Sequence, residues 1–313
     1  MFKKALAGLA LGLSLTSAMA QEINFGIIAT ESTQTLKATW QPLLDAMSKK
    51  TGLKVKAFFA PDYAGVIEGM RFNKVQIGWF GNKSAMEAVD RANGEIFAKV
   101  VNADGTEGYY SHLIVHKDSP IKSLDDVLQH GKDYSFGNGD PNSTSGFLVP
   151  SYYVFAKNNI DAKTHFKVMR SANHETNALT VANKQVDVAT NNSENLAKLE
   201  KSHPEKFKEL RVIWTSPLIP SDPLVMRKDL PEATKAKIKQ FFLDYARHDA
   251  AEKAVMERMN WSAFRESSDA QLKPIRQLAL FGQRNKIVAD ATLSAADKKN
   301  QLDEIDRKLS ALN

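Results

Sequence analysis

Three adjacent hydroxyls, Ser143, Thr144 and Ser145, lie in the run Gly137-Asn138-Gly139-Asp140-Pro141-Asn142-Ser143-Thr144-Ser145-Gly146-Phe147. A short apolar strand pattern, 134–136, precedes this run, and a helical pattern over 146–157 follows it. A strand, a Gly/Asp/Pro turn and hydroxyls opening a helix together suit a small oxyanion. The first N–H groups of a helix lack intrahelical partners, the helix dipole adds partial positive charge, and hydroxyls add donors. The same residues also serve as ordinary helix caps. The run lacks the Gly-x-x-x-x-Gly-Lys-Ser/Thr spacing of a nucleotide-binding loop. It also contains no Lys or Arg, so an anion here is held by neutral donors.

Other residues with chemical potential stand at predicted strand ends. His174 opens a predicted helix over 174–182. Tyr63 follows the turn Ala60-Pro61-Asp62, and Glu194 follows the run Ala189-Thr190-Asn191-Asn192-Ser193. Tyr109 and Asp222 fall where the element pattern changes style. Each also has a plain structural use: a helix-capping His, a half-buried Tyr, an acid favoured by a helix dipole, an Asp in a turn. Ser143, His174 and Asp222 can be drawn as a hydrolytic triad. The chain has no Gly-x-Ser-x-Gly elbow, no His-Glu-x-x-His, no Cys and no tight His/Asp cluster in sequence. A binding role without catalysis, cofactor or metal is therefore expected.

The elements that must position these residues alternate. Strand patterns at 23–29, 54–60, 77–80 and 96–101 are separated by helical patterns at 33–50, 63–71 and 82–92. Further strands are predicted at 111–116, 134–136, 166–170, 186–190, 210–215 and 224–227, and further helices at 231–245, 252–259 and 269–281. Such alternation predicts α/β architecture with mainly parallel sheets flanked by helices. Changes of style near 109–111 and 215–222 predict a first lobe of residues 21–110 plus 217–283 and an inserted second lobe of 111–216. The tail, 284–313, carries Leu302, Ile305, Leu309 and Leu312 at spacings of 3, 4 and 3. It suits either a helix lying on its own chain, giving a monomer, or a short seam in a homodimer.

Residues 1–20 read as a secretory signal peptide: Lys3 and Lys4, an apolar stretch over 5–15, and Ala18-Met19-Ala20 before the cleavage point. The apolar stretch is too short to span a bilayer. The absence of Cys excludes disulfides and a lipidated cysteine, so a mature protein free in the periplasm is expected. The formal charge is +6, of which Lys3 and Lys4 supply two, leaving +4 for the mature chain. Acids and bases are interspersed and no aromatic-basic motif occurs, so nucleic acid is not an expected partner.

These features resemble the type II periplasmic solute-binding proteins, in which two α/β lobes joined by a two-strand hinge close around a solute. More specifically, the chain is similar to the phosphonate-binding proteins of bacterial phosphonate ABC transporters. The matching strings are Asn24-Phe25-Gly26-Ile27-Ile28, Phe58-Phe59-Ala60-Pro61-Asp62-Tyr63-Ala64-Gly65, the run 85–94, the run 136–149, His174-Glu175-Thr176-Asn177, Val188-Ala189-Thr190-Asn191-Asn192 and Arg276-Gln277-Leu278-Ala279-Leu280-Phe281. The resemblance implies a phosphonate group held by Ser143, Thr144, Ser145, His174 and Tyr63. It implies an ammonium group held by Glu194, Asp222 and Tyr109, hence 2-aminoethylphosphonate as ligand, with a permease and its ATPase as partners. Phosphite, phosphate or a phosphate ester is the alternative ligand on the same fold, though the two acids speak against a plain oxyanion.

Overall fold

The structure, a computed structural model, describes residues 21–312; the expected signal peptide lies outside the described residues. The strands in chain order are β1 (Glu22–Ile27), β2 (Lys54–Phe59), β3 (Ile77–Trp79), β4 (Gly94–Asn102), β5 (Gly108–Tyr109), β6 (Ser111–His116), β7 (Ser135–Asn138), β8 (Val168–Ser171), β9 (Val188–Asn192), β10 (Leu210–Thr215), β11 (Ile219–Pro220), β12 (Pro223–Arg227) and β13 (Trp261–Glu266). They form a six-stranded sheet in the order β13-β4-β12-β3-β1-β2 and a five-stranded sheet in the order β10-β6-β9-β7-β8. The chain passes between the sheets twice, and there β5 and β11 pair as an antiparallel ribbon, Ile219 opposite Tyr109. Among the described residues no helix is long and apolar enough to cross a membrane.

The expectation of mainly parallel sheets needs correction, because both sheets are mixed. β1 pairs in parallel with β2 and β3, and β7 with β8 and β9. β12 runs antiparallel to β3 and β4, β13 to β4, and β6 to β9 and β10. Most strands linked by helical crossovers share one direction, as such connections favour; β6 is the exception, opposing β9 while β7, reached from it through a helix, runs parallel to β9. The reversed strands enter the sheets from outside that series. β6 comes directly off the first crossing, β12 directly off the second, and β13 follows β12 after two further helices.

The core of the six-stranded sheet grows from one helix stripe. Helix Thr33–Thr51 buries Leu36, Trp40, Leu43, Leu44 and Met47, the stripe that its sequence periodicity predicts. Ser32 caps it by accepting from Thr35 N at 3.1 Å, and Gly52, at φ 71, ends it. Trp40 meets Trp79 at 5.4 Å and Trp261 at 5.6 Å between ring centroids, which ties the helix to a central strand and an edge strand. A second core under the five-stranded sheet centres on Phe136, stacked on Phe166 at 4.4 Å. The C-terminal helix Ala295–Ala311 folds back onto helix Lys273–Ala289, with Ile305 buried and Arg284 3.4 Å from Asp306.

The segment after β7 also departs from expectation. A regular helix is predicted from Gly146; instead helical turns begin at Thr144 with wide π-type bonding over Thr144–Leu148 and Ser151–Phe155. Leu148 N bonds Ser143 O at 3.1 Å, five residues back. A close backbone crossing accompanies this geometry. Gly139 N donates to Gly146 O at 3.0 Å, and a Cβ on Gly139 would lie 2.6 Å from Gly146 atoms. Only glycine fits there, and a widened turn of this kind often marks a functional position.

Replacing Trp40 with Ala removes the ring that joins three elements. The expected cost is about 3–5 kcal/mol, read as a lowered midpoint in chemical denaturation. A midpoint unmoved by the substitution would place the core elsewhere.

Candidate functional site

Four strand-to-helix junctions converge on one cavity. Asp62 caps helix Tyr63–Arg71, accepting from Gly65 N at 2.8 Å, and sets Tyr63 at its first position. Asn173 caps helix His174–Ala182 through Thr176 N at 2.8 Å, and Asn192 caps helix Ser193–Ser202 through Asn195 N at 2.7 Å. Ser143 Oγ accepts from Gly146 N at 2.9 Å at the start of the π turn. Tyr109 and Asp222 reach the same space from the two crossings. All eight residues singled out from the sequence (Tyr63, Tyr109, Ser143, Thr144, Ser145, His174, Glu194 and Asp222) line this cavity.

One end is built of neutral donors. Thr144 Oγ1 accepts from Lys83 N at 2.8 Å, and Ser145 Oγ accepts from Asn192 Nδ2 at 3.0 Å. With Ser143 Oγ accepting from Gly146 N, each of the three hydroxyls already has a donor and keeps its own hydrogen to give. Burial, then the charges of Asp222 and Asp140, push the Tyr63 phenol well above its ordinary value. His174 Nε2 lies 3.2 Å from Asn192 Nδ2 and 3.4 Å from Ser143 Oγ. Because Asn192 Oδ1 is committed to Asn195 N, the amide turns its NH₂ toward the ring, and Nε2 is the acceptor. The ring hydrogen is thereby assigned to Nδ1, which is buried without a partner. Burial, reinforced by the charge of Lys198, lowers His174 to about 4, so the ring is neutral at physiological pH.

The other end is acidic. Burial raises Glu194 to about 7, with Glu31 adding to the rise and Lys198 opposing it. Burial, followed by the charge of Glu194, raises Asp222 well above the carboxylate range, while a hydrogen bond from Tyr109 works against that rise. The Tyr109 phenol is likewise raised, by burial first and then by Asp222. Glu194 Oε1, Asp222 Oδ1 and Asn195 Oδ1 are shut off from solvent, and none has a hydrogen-bond partner. All three belong to residues that line the cavity, and such orphaned acceptors call for an explanation.

The drawn triad does not form. The His174 Nδ1 that a triad aspartate would hold has no hydrogen-bond partner. Outside the cavity, His116, Asp118 and Glu209 offer the close acid–imidazole group that sequence spacing did not reveal. Nδ1 faces Asp118 at 3.6 Å and Nε2 faces Glu209 at 3.0 Å, so the two carboxylates sit on opposite sides of the ring. Lys184 and Lys117 already pair with them.

Sequence reasoning missed Glu31, Asn192, Asn195, Trp79 and Lys198, which line the same cavity. Lys198 stands four residues after Glu194, a spacing that places both on one helix face and was a readable signal. Glu31 and Trp79 carry no such signal, because only the fold brings them close. The absence of cations noted for the loop 137–147 holds for the loop but not for the cavity, since Lys198 enters it.

The family described as ABC transporter, phosphonate, periplasmic substrate-binding protein matches residues 25–272. The chain is 62% identical over 298 residues to the phosphonates-binding periplasmic protein of Escherichia coli, covering 93% of this chain and 88% of that one. The crystal structure of a binding protein component of an ABC phosphonate transporter from Pseudomonas aeruginosa superposes with a TM-score of 0.91 at 57% identity, over 94% of this chain and 97% of the other. A Prochlorococcus marinus protein in complex with methylphosphonate shares the fold, with a TM-score of 0.73 at 22% identity over 82% of this chain and 97% of its own.

His174 and Glu194 act on stability with opposite signs. His174 falls from 6.5 to about 4 on folding, so its contribution is complete above pH 6.5 and is lost as pH falls toward 4. Glu194 rises from 4.5 to about 7, so its contribution is complete below pH 4.5 and is lost as pH rises through 7. Denaturation midpoints of the unliganded protein between pH 4 and 8 should therefore peak inside this range. Glu194→Gln should flatten the alkaline limb alone. An alkaline limb unchanged in that variant would assign it to other groups.

Proposed function

Because the chain belongs to the periplasmic phosphonate-binding proteins of ABC transporters, a family of substrate-binding proteins and not of enzymes, we propose that its ligand is 2-aminoethylphosphonate. The observation that carries this reading is the trio of orphaned acceptors, Glu194 Oε1, Asp222 Oδ1 and Asn195 Oδ1. A primary ammonium group has three N–H donors, and its positive charge suits two carboxyls. Ser143, Thr144, Ser145, His174 and Tyr63 take the phosphonate oxygens, and Glu194, Asp222 and Tyr109 take the ammonium. Hydrogen bonds to a charged partner contribute about 1.5–3 kcal/mol each. A handful of them in a closed cleft supports micromolar or tighter binding after ordering costs.

The ligand touches both sheets in this reading. Tyr63 and Asp222 sit at the six-stranded sheet, and Ser143 to Ser145, His174 and Glu194 at the five-stranded one. We take the lobes to be residues 21–110 plus 217–283 and 111–216, hinged at the β5–β11 ribbon. The closed, loaded form is the one handed to a permease driven by its ATPase, after export directed by residues 1–20. A plain phosphate or phosphite would leave the acidic end without a cation. That feature ranks these ligands below an aminophosphonate.

Calorimetric titration of the mature protein tests the assignment. Glu194→Ala should weaken 2-aminoethylphosphonate by tenfold or more, on the order of a lost charge-assisted bond, and leave methylphosphonate little changed. Ser143→Ala should weaken both ligands alike. Equal losses for both ligands in Glu194→Ala would refute the ammonium assignment.

A further inference from the structure

The acidic end holds more charge than one ammonium group needs. Three carboxyls, Glu31, Glu194 and Asp222, line the cavity together with Lys198. Lys198 Nζ lies 3.3 Å from Glu31 Oε1, with the two side chains 19% and 6% exposed. The same Nζ stands over the faces of Trp79 and Trp261, at 5.6 and 5.7 Å from the ring centroids. Lys198 sits on the helix that follows β9 of the five-stranded sheet. Glu31 follows β1 of the six-stranded sheet, where Trp79 and Trp261 also reside. The lysine therefore crosses the cleft into a socket that the opposite sheet provides.

We propose that Lys198 is a specificity-determining residue: a cation supplied by the protein that takes Glu31 as its own counter-ion and leaves the acidic end with the charge for one external ammonium group. Glu31 is then not available to the ligand, and Glu194 and Asp222 remain to receive it. Burial opposes the charge on Lys198, but Glu31, Glu194 and Asp222 together hold it above its ordinary value, so it stays cationic. Its field already acts on both ends of the cavity, restraining the rise of Glu194 and helping to keep His174 neutral. At the acidic end that same field opposes an incoming ammonium. Lys198 thus sets how strongly an amine-bearing phosphonate is preferred over one without an amine.

This inference rests on the ammonium reading above, and the test separates the two. The measured quantity is the ratio of the dissociation constants of methylphosphonate and 2-aminoethylphosphonate, by titration calorimetry on the mature chain. Lys198→Met leaves three acids unopposed, and the ratio should rise by about tenfold; Glu31→Gln leaves one net acid, and the ratio should fall by a similar factor. The double variant Lys198→Met/Glu31→Gln restores two net acids and should return the ratio to within about threefold of the parent. Lys198→Arg should keep the parent ratio. A role limited to bridging the cleft predicts something different: both ligands weaken together and the ratio stays put. That outcome, or a ratio that falls in Lys198→Met, overturns the proposal. If Lys198→Met does not fold, the fall in Glu31→Gln and its absence in Lys198→Arg decide the matter. A parent protein with no preference between the two ligands would instead sink the ammonium reading itself.

Discussion

The structure depends on keeping acids, a base and a neutral imidazole together in one buried cavity. Charge there is not screened by water, so every ionised group must meet a partner or give up its charge. Glu31 meets Lys198. Glu194 and Asp222 have no such partner and are driven toward their protonated forms. In the proposed reading, a ligand ammonium would replace protons more than it adds charge, and binding would be an exchange. The same constraint explains the neutral anion end. An Arg or Lys among Ser143, Thr144 and Ser145 would lie within one small molecule's length of two unpaired acids and would pair with them. Hydroxyls can give hydrogens to an anion without offering the acids a rival cation.

Precise donors require more than suitable residue types, and the fold supplies the rest through local rules. Three of the contributing helices begin with a capping side chain, Asp62, Asn173 or Asn192, which fixes where the first turn starts and so where the next residue points. Asn192 also does a second task. With its oxygen on a backbone N–H, its amide hydrogens go to Ser145 and His174 and set the polarity of both. The crossing of Gly139 and Gly146 holds the hydroxyl loop folded against its own helix start.

Much of this was legible in the sequence because it is local. The stripe Leu36, Trp40, Leu43, Leu44 and Met47, the hydroxyl run after β7, and the places of His174, Tyr63 and Glu194 at strand ends follow from spacing alone. The resemblance to phosphonate-binding proteins added roles for Tyr109 and Asp222 that spacing leaves open. What stayed hidden is non-local. β12, which begins at Pro223, enters the sheet that β4 left at Asn102, so periodicity cannot tell that it runs antiparallel. Glu31 and Lys198 are 167 residues apart, and neither has a neighbour in sequence that hints at the other. The π turn at Thr144 was missed because its composition is that of an ordinary helix.

In the proposed hinge closure of the cleft, the opposing cost is what the closed state leaves unpaired. Several contacts already join the two sides without any ligand. Ser32 N donates to Glu175 Oε2 at 2.7 Å, Tyr63 N to Asp140 Oδ2 at 3.1 Å and Lys83 N to Thr144 Oγ1 at 2.8 Å. These favour closing, as does Lys198 in its socket. Against them stand the orphaned oxygens of Glu194, Asp222 and Asn195, which the open form gives to water and the closed form strands. In the proposed reading, a molecule with an anion at one pole and an ammonium at the other would remove that penalty and tip the balance. A molecule with the anion alone fills one pole and leaves the other stranded, so selection is exerted at closure and not only at first contact. The free energy a ligand can contribute to closing is its difference in affinity between the two forms. In this cavity that difference resides at the acidic pole, where the empty closed state is least satisfied.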